Sequence, residues 1–233
     1  MIHKLIFVHP KPGMGERDFF DYWKNVHAVE FGSKIPQVKG YLIDTRVPFG
    51  PEPDDPLFSG VAEVWLESEA EELAFLQSKE YVEGARLDEP RFLAFWRMVA
   101  LDTIDHVLMR GEPPGRDSTL VKLLVLVKRK SGMPLGEFRR YSLETHGPQV
   151  LRLPGLRRYV QCHVVDSAYA VGESPLDCVS QLWFDDARAI RRMLESPEYK
   201  EQVEPDLMSF IEPKYLNTLV TDEYWVVGPG GRR

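Results

Sequence analysis

The sequence predicts an α+β fold: two βαββαβ ferredoxin-like repeats packed sheet to sheet, an eight-stranded barrel with its helices outside. The first observation behind this is that the 233-residue chain repeats itself. Lys4-Leu5 returns as Lys122-Leu123 after 118 residues, and Gly13-Met14, Phe19, Tyr22 and His27 return, with a one-residue drift, as Gly132-Met133, Phe138, Tyr141 and His146. Further on, Pro36 matches Pro154, Tyr41 matches Tyr159, Trp65 matches Trp183, and Asp88, Phe92, Leu101 and Thr103 match Asp206, Phe210, Leu219 and Thr221. A period this long marks a duplicated domain, because solenoid repeats run to only a few tens of residues. The second observation is the order of hydrophobic patterns, which is the same in both copies.

Residues 3–9 and 121–128 are short apolar runs rich in β-branched side chains, each closed by a Gly-Met turn. Glu16 to Phe31 sets Phe19, Tyr22, Trp23 and Val26 at helical spacing, and Leu135 to Leu151 does so with Phe138, Tyr141, Leu143 and Val150. Pro36 and Pro154 end these helices, and second strands open at Tyr41 and Tyr159. Third strands run from Val61 to Leu66 and from Val179 to Phe184, second helices cover 68–80 and 186–196, and last strands lie near 102–109 and 220–227. The repeats therefore occupy 1–110 and 119–227, joined by a polar linker at 111–118 and followed by a loose tail at 228–233. One such unit leaves a sheet face bare, and two together can cover it.

Composition narrows the function. A net charge of -7 and a pI near 5.5 offer no field for nucleic acid or anionic lipid. No apolar run reaches the roughly 18 residues of a membrane span, and the first residues enter a strand without a signal-peptide core, so the expected setting is the cytoplasm. Two cysteines, Cys162 and Cys178, exclude a disulfide framework and a structural zinc cluster; a hairpin register could make them neighbours, but two buried thiols is the preferred reading.

Strand alternation separates the faces. Val160, Cys162 and Val164 share one and are expected under the helices, so Tyr159, Gln161 and His163 are expected to face the barrel interior. By the same logic Ala62, Val64 and Leu66 go under helices, while Glu63 and Trp65, with Gln181 and Trp183 in the second repeat, point inward. Aromatic walls with a few polar groups make a ligand pocket. The helix histidines His27 and His146 can take and give protons near neutral pH. For either alone, a ring bonded to a backbone carbonyl is the commoner outcome. His146, Tyr159, Gln161 and His163 are expected to converge in the second repeat, and His27, Tyr41 and Glu63, with Asp105 or His106, in the first. His3 and His9 are expected at the surface.

These residues carry a resemblance. Lys11-Pro12-Gly13-Met14, Phe19, Tyr22-Trp23, His27, Pro36 and Tyr41, and again Lys130-Ser131-Gly132-Met133, Phe138, Tyr141, His146, Pro154 and Tyr159, resemble the EthD family of the dimeric α/β barrel superfamily. Ser142 stands where the second copy would carry tryptophan. The resemblance implies an intramolecular dimeric α/β barrel. It also implies relatives that include cofactor-free isomerases, polyketide cyclases or dehydratases, and quinone-forming monooxygenases. In the isomerase branch the helix histidine and the strand tyrosine belong to the site, here His27 with Tyr41 and His146 with Tyr159. The cysteine that branch also uses has no secure counterpart.

The leading expectation is a cofactor-independent enzyme acting by acid-base chemistry on a small cyclic or aromatic carbonyl compound. His146 would be its base, Tyr159 or His163 its donor, and Gln161, Gln181, Trp183, Glu63 and Trp65 its substrate-binding walls. The alternative is a non-catalytic protein holding a hydrophobic metabolite in the barrel. A haem protein ranks third. No paired-ligand metal motif occurs, and no metal is expected. The second repeat is expected to hold the richer site. A fused barrel closes within one chain, so a homodimer is allowed and not required.

Overall fold

The computed structural model describes the chain except residues 52, 54, 113, 114, 171, 229, 230 and 233, and it describes only the backbone of 231 and 232. In the first repeat β1 spans Ile2–Val8. Helix α1 runs Glu16–Tyr22, widens into a π turn at Trp23–His27 and finishes as Ala28–Glu30. Strands β2 (Gly40–Arg46) and β3 (Gly60–Leu66) follow, then α2 (Glu69–Gln77), a π turn at Glu80–Ala85 with a last turn Arg86–Asp88, and β4 (Val99–Met109). The second repeat copies this as β5 (Val121–Val127), α3 (Leu135–Tyr141, π turn Ser142–His146, end Gly147–Val150), β6 (Arg158–Val164) and β7 (Cys178–Phe184). It closes with α4 (Ala187–Glu195), a π turn Glu198–Val203 running into α5 (Glu204–Phe210), and β8 (Asn217–Gly228).

Local chemistry explains the boundaries. Ser68 and Asp186 cap the second helices by accepting from the N–H groups of Glu71 (3.2 Å) and Ala189 (2.7 Å). Gly13 and Gly132 sit at φ 84° and 81°, a left-handed turn that a side chain resists, so the Gly-Met signature recurs at the same bend.

Within the repeats the sheet orders are β2-β3-β1-β4 and β6-β7-β5-β8, all antiparallel where register is given, which is the ferredoxin-like arrangement. The compact units do not coincide with the repeats. Unit 1 holds Met1–Asp102, Gly115–Ser118 and Asp222–Arg233, and unit 2 holds Thr103–Pro114 and Thr119–Thr221. The last strands are longer than the sequence pattern indicates, and each is divided between the units. From Thr103 onward β4 pairs with β6 inside unit 2. Of the expected tail, residues 229, 230 and 233 lie outside the described residues, while Gly231–Arg232 pair with Val227 and Gly228. Residues 113 and 114 of the linker also lie outside them.

The register corrects the repeat alignment. Lys4 pairs with Val64, but Lys122 pairs with Trp183, the counterpart of Trp65, so the first strand also runs at the drifted spacing and the two lysines face opposite ways. The structural counterpart of Lys4 is Leu123.

The face assignment holds in unit 1 and reverses on one strand of unit 2. Ala62 and Val64 share the helix-covered face with Lys4, Ile6, Val8 and Tyr41 around one cavity, while Glu63 and Trp65 lie on the other face beside His3. His3 is 2% exposed, stacked on Trp65 at 4.2 Å with Nε2 2.8 Å from Glu63, and is not a surface residue. In unit 2, however, Gln161 bonds to Ser142 of α3 and His163 packs against Phe138, so Tyr159, Gln161 and His163 lie under the helix. Val160, Cys162 and Val164 take the opposite face, beside Gln181 and Trp183. Alternation groups residues by face without saying which face meets a helix; here a serine in the helix leaves a polar gap that Gln161 fills. Cys162 and Cys178 are free and buried, paired with Val179 and His163 respectively and hence on opposite faces.

Candidate functional site

The π turns shape both histidine sites. A π turn adds a residue per turn and rotates the side chains beyond it, and such turns recur at functional positions. In unit 1 it brings His27 to Asp88: Nδ1–H donates to Oδ2 at 2.9 Å, and the Tyr22 hydroxyl donates to Oδ1 at 2.7 Å. Phe92 packs against the ring at 4.7 Å. Unit 2 repeats the group, with His146 on Asp206 at 2.7 Å, Tyr141 on the same carboxylate at 2.7 Å and Phe210 at 5.1 Å. The expected carbonyl partners are thus replaced by carboxylates. Burial lowers the pKa of both imidazoles, with Asp88 and Asp206 opposing, so each is a neutral ring held in the Nδ1–H tautomer. Among the described residues no hydrogen-bond partner meets Nε2 of His27, which leaves that nitrogen for a base, or for a metal or cofactor.

His27 opens onto a cavity of about 260 Å³ inside unit 1. Its walls are apolar, including Trp23, Ile35, Val38, Phe75 and Phe92. Tyr41 enters from β2, and its hydroxyl accepts the Trp23 indole N–H at 2.9 Å. Among the described residues nothing accepts the Tyr41 proton. Burial raises its pKa strongly, so it stays a phenol and a donor. Gly32 lets this ring approach: a Cβ there would lie 2.7 Å from Tyr41 Cε1.

Two charged residues also line the space. Glu89 is bonded through Oε2 to Arg86 at 2.7 Å, and burial raises its pKa, with Arg86 opposing. Lys4 pairs with Glu72 at 2.5 Å and Asp102 at 2.6 Å. Burial works against the Lys4 ammonium, but the two carboxylates outweigh it and raise its pKa.

Unit 2 fills the corresponding region. Gln161 donates to the Tyr159 hydroxyl at 2.6 Å and to the Ser142 carbonyl at 2.9 Å, and its oxygen accepts from the Ser142 hydroxyl and from His163 Nε2, both at 2.8 Å. His163, edge-on to His106 at 4.9 Å, is pushed down to about 3 by burial, then by His106 and Arg139. Phe138, Cys178, Leu207 and Phe210 form an apolar cluster beside it.

Of the sequence-predicted residues, the structure brings His27 and Tyr41 to one cavity. It joins Tyr159, Gln161 and His163 in a buried chain, and ties His146 to Asp206. Glu63 and Trp65 lie across the sheet from His27, and His106 belongs with His163 rather than with His27. Sequence reasoning missed Asp88, Asp206, Glu89 and Lys4 as partners. Asp88 and Asp206 were visible as a repeated pair, and Glu89 opposite Leu207 is a charged residue at a position that is apolar in the sister repeat.

Comparison with known proteins bears on the family and the fold. The family model described as EthD domain matches residues 11–95 and 130–214. The dehydratase aurZ of Gibberella zeae is 27% identical over 114 residues, 43% of this chain and 74% of that protein. Among solved structures, an anthrone oxidase-like protein superposes with TM-score 0.65 at 12% identity, covering 96% of this chain and 92% of its own. A chlorite dismutase variant from Candidatus Nitrospira defluvii gives 0.52 at 10% identity over 95% and 91%. At such identities the structural likeness speaks to fold alone, and the fold is the α+β dimeric α/β barrel class built from two ferredoxin-like repeats in one chain.

Proposed function

Because the chain belongs to the EthD domain family, we propose that it is a small-molecule enzyme of the dimeric α/β barrel type, working by acid-base chemistry on a cyclic or aromatic carbonyl compound. The site proposed is the cavity of unit 1. The observation that carries this reading is that His27, oriented by Asp88, and Tyr41, with an uncommitted hydroxyl proton, line the same apolar space. A neutral imidazole Nε2 can remove a proton next to a ketone, and a phenol can donate to the enolate oxygen that develops. Aromatic and aliphatic walls strengthen that hydrogen bond by excluding water. The names of the relatives, a dehydratase and an anthrone oxidase-like protein, are in keeping with a cyclic carbonyl substrate.

The test is hydrogen-deuterium exchange at the carbon next to the carbonyl of α-tetralone in D₂O, followed by mass spectrometry. The chain should accelerate exchange, and His27→Ala and Tyr41→Phe should each lower the rate roughly 10²- to 10⁴-fold. His146→Ala should leave it within about threefold, since His146 belongs to the other unit. Saturable binding of α-tetralone without exchange would favour the alternative, a carrier of hydrophobic metabolites, which the apolar lining also suits. Among the described residues no helix is long and apolar enough to cross a membrane.

A further inference from the structure

We propose that Glu89 is a second proton-carrying catalytic group of the unit 1 cavity, and that the site therefore eliminates water from a cyclic β-hydroxy ketone rather than only enolising a ketone. The proposal rests on the acid-base reading of His27 and Tyr41.

The two repeats provide the comparison. Position for position, the helix-covered face of unit 1 and that of unit 2 share Tyr41 with Tyr159, His27 with His146, Asp88 with Asp206 and Phe92 with Phe210. Glu89 corresponds to Leu207, which is 8% exposed within the apolar cluster of unit 2. The backbone at this position thus presents its side chain to a region that the fold fills with leucine. In unit 1 that region is the cavity, and a carboxyl group borders it. A partly buried acid in place of leucine, its side chain 12% exposed, costs stability unless it is compensated. Arg86 compensates one oxygen, Oε2, at 2.7 Å, and among the described residues Oε1 meets no hydrogen-bond partner. Such an acid, placed with a base and a phenol, has the makings of a proton donor.

The chemistry separates the two protons. His27 Nε2 takes the proton from the carbon next to the carbonyl, and the electron pair moves into an enolate whose oxygen is held by the Tyr41 hydroxyl. The enolate collapses to form the carbon-carbon double bond, the bond to the β-oxygen breaks with its electron pair, and that oxygen takes the proton of Glu89 and leaves as water. The imidazolium and the Glu89 carboxylate then exchange a proton through solvent, so one substrate yields one enone and one water with the enzyme unchanged. Glu89 must be protonated at the start, and burial favours that form. The charged and titratable groups around it are Arg86, Asp88, Tyr41 and Tyr81.

The experiment uses three probes with the full chain. α-Tetralone reports proton removal by deuterium exchange. Its β-hydroxy derivative, which aromatises to α-naphthol on losing water, reports elimination by fluorescence. The β-(para-nitrophenoxy) analogue has a leaving group that needs no proton. Glu89→Gln should slow naphthol formation by roughly 10²-fold or more beyond any change in exchange, while nitrophenolate release follows exchange rather than naphthol formation. Glu89→Leu, the residue of the sister repeat, should behave alike, with its melting temperature recorded as the folding control. An equal loss on all three probes, or no loss on any, would overturn the assignment. Exchange that persists in the unsubstituted chain without any naphthol formation would also overturn it, while leaving His27 and Tyr41 in place. No exchange at all would remove the enolisation reading and this one together.

Discussion

The indole N–H of Trp23 reaches the hydroxyl of Tyr41 at 2.9 Å, and in the sister repeat the same hydroxyl, that of Tyr159, is reached instead by the Gln161 amide at 2.6 Å. The donor has moved from helix to strand. Trp23 corresponds to Ser142, Ile43 to Gln161 and Gly60 to Cys178, so a large helix residue over two modest strand positions is exchanged for a small helix residue over larger or polar ones. Gly60 is needed by the tryptophan, since a Cβ there would lie 2.9 Å from its ring and 2.5 Å from the Asp44 carbonyl. Both repeats thus satisfy a buried tyrosine oxygen, and they differ in what lies beside it: a cavity at Tyr41 and the Gln161 side chain at Tyr159.

Trp23→Ser removes most of an indole from the core and should cost about 3–5 kcal/mol, the range for large-to-small core changes. Adding Ile43→Gln and Gly60→Cys, the set that unit 2 carries, should return at least about 1 kcal/mol, because the three positions share contacts and their effects are not additive. Urea unfolding of the single and triple variants reads this directly. A triple variant weaker than the single one would show that the sets are not interchangeable.

Lys4, Glu72 and Asp102 form a largely buried ionic cluster where unit 2 has Leu123, Ile190 and Val220. Lys4→Leu alone leaves two carboxylates side by side and should destabilise by about 3 kcal/mol, whereas Lys4→Leu with Glu72→Ile and Asp102→Val should come within about 1 kcal/mol of the original chain or exceed it. Thermal unfolding of both variants distinguishes a cluster kept for stability from one kept for the cavity it borders.

Asp88 acts through His27. Asp88→Asn keeps the shape but can present N–H where the imidazole now donates, favouring the other tautomer, and should slow α-tetralone exchange roughly 10²-fold. Loss of the carboxylate also removes what opposes the lowered His27 pKa. The acid limb of the pH-rate profile should therefore move to lower pH. A slower rate with an unmoved limb would indicate a purely structural role.

His163 sets an acid limit on stability. Its folded value of about 3 lies below the ordinary 6.5, so between the two the unfolded chain binds a proton that the folded chain refuses, and stability rises with pH across that window. Moving from pH 7 to pH 5 should remove about 2 kcal/mol through this residue, with His27 and His146 adding in the same direction. His163→Gln should flatten the dependence of the urea midpoint between these values. An unchanged slope would place the acid sensitivity elsewhere.

Much of the architecture was legible in the residues. The duplication, both Gly-Met turns and the order of strands and helices followed from repeated spacing and periodicity. His27 and Tyr41 were legible because their neighbours recur. Asp88 is visible as part of the repeat, but no local pattern marks it as the histidine's partner, because the two are 61 residues apart and only the fold joins them. Glu89 and Lys4 carried a signal only against their counterparts Leu207 and Leu123, and the second of these becomes visible once strand register shows that the first strand keeps the drifted spacing.

By itself the sequence determined the fold class, the two-repeat organisation and which side chains share a strand face, because these depend on periodicities of two and of about 3.6 residues that any chain obeys locally. Only the tertiary structure decided which face of β6 meets the helix and that a cavity opens beside His27 and Tyr41. Those outcomes depend on volumes and hydrogen bonds contributed by residues far apart in the chain. A serine for a tryptophan at Ser142 leaves room that Gln161 closes, and no local pattern records that the two will meet.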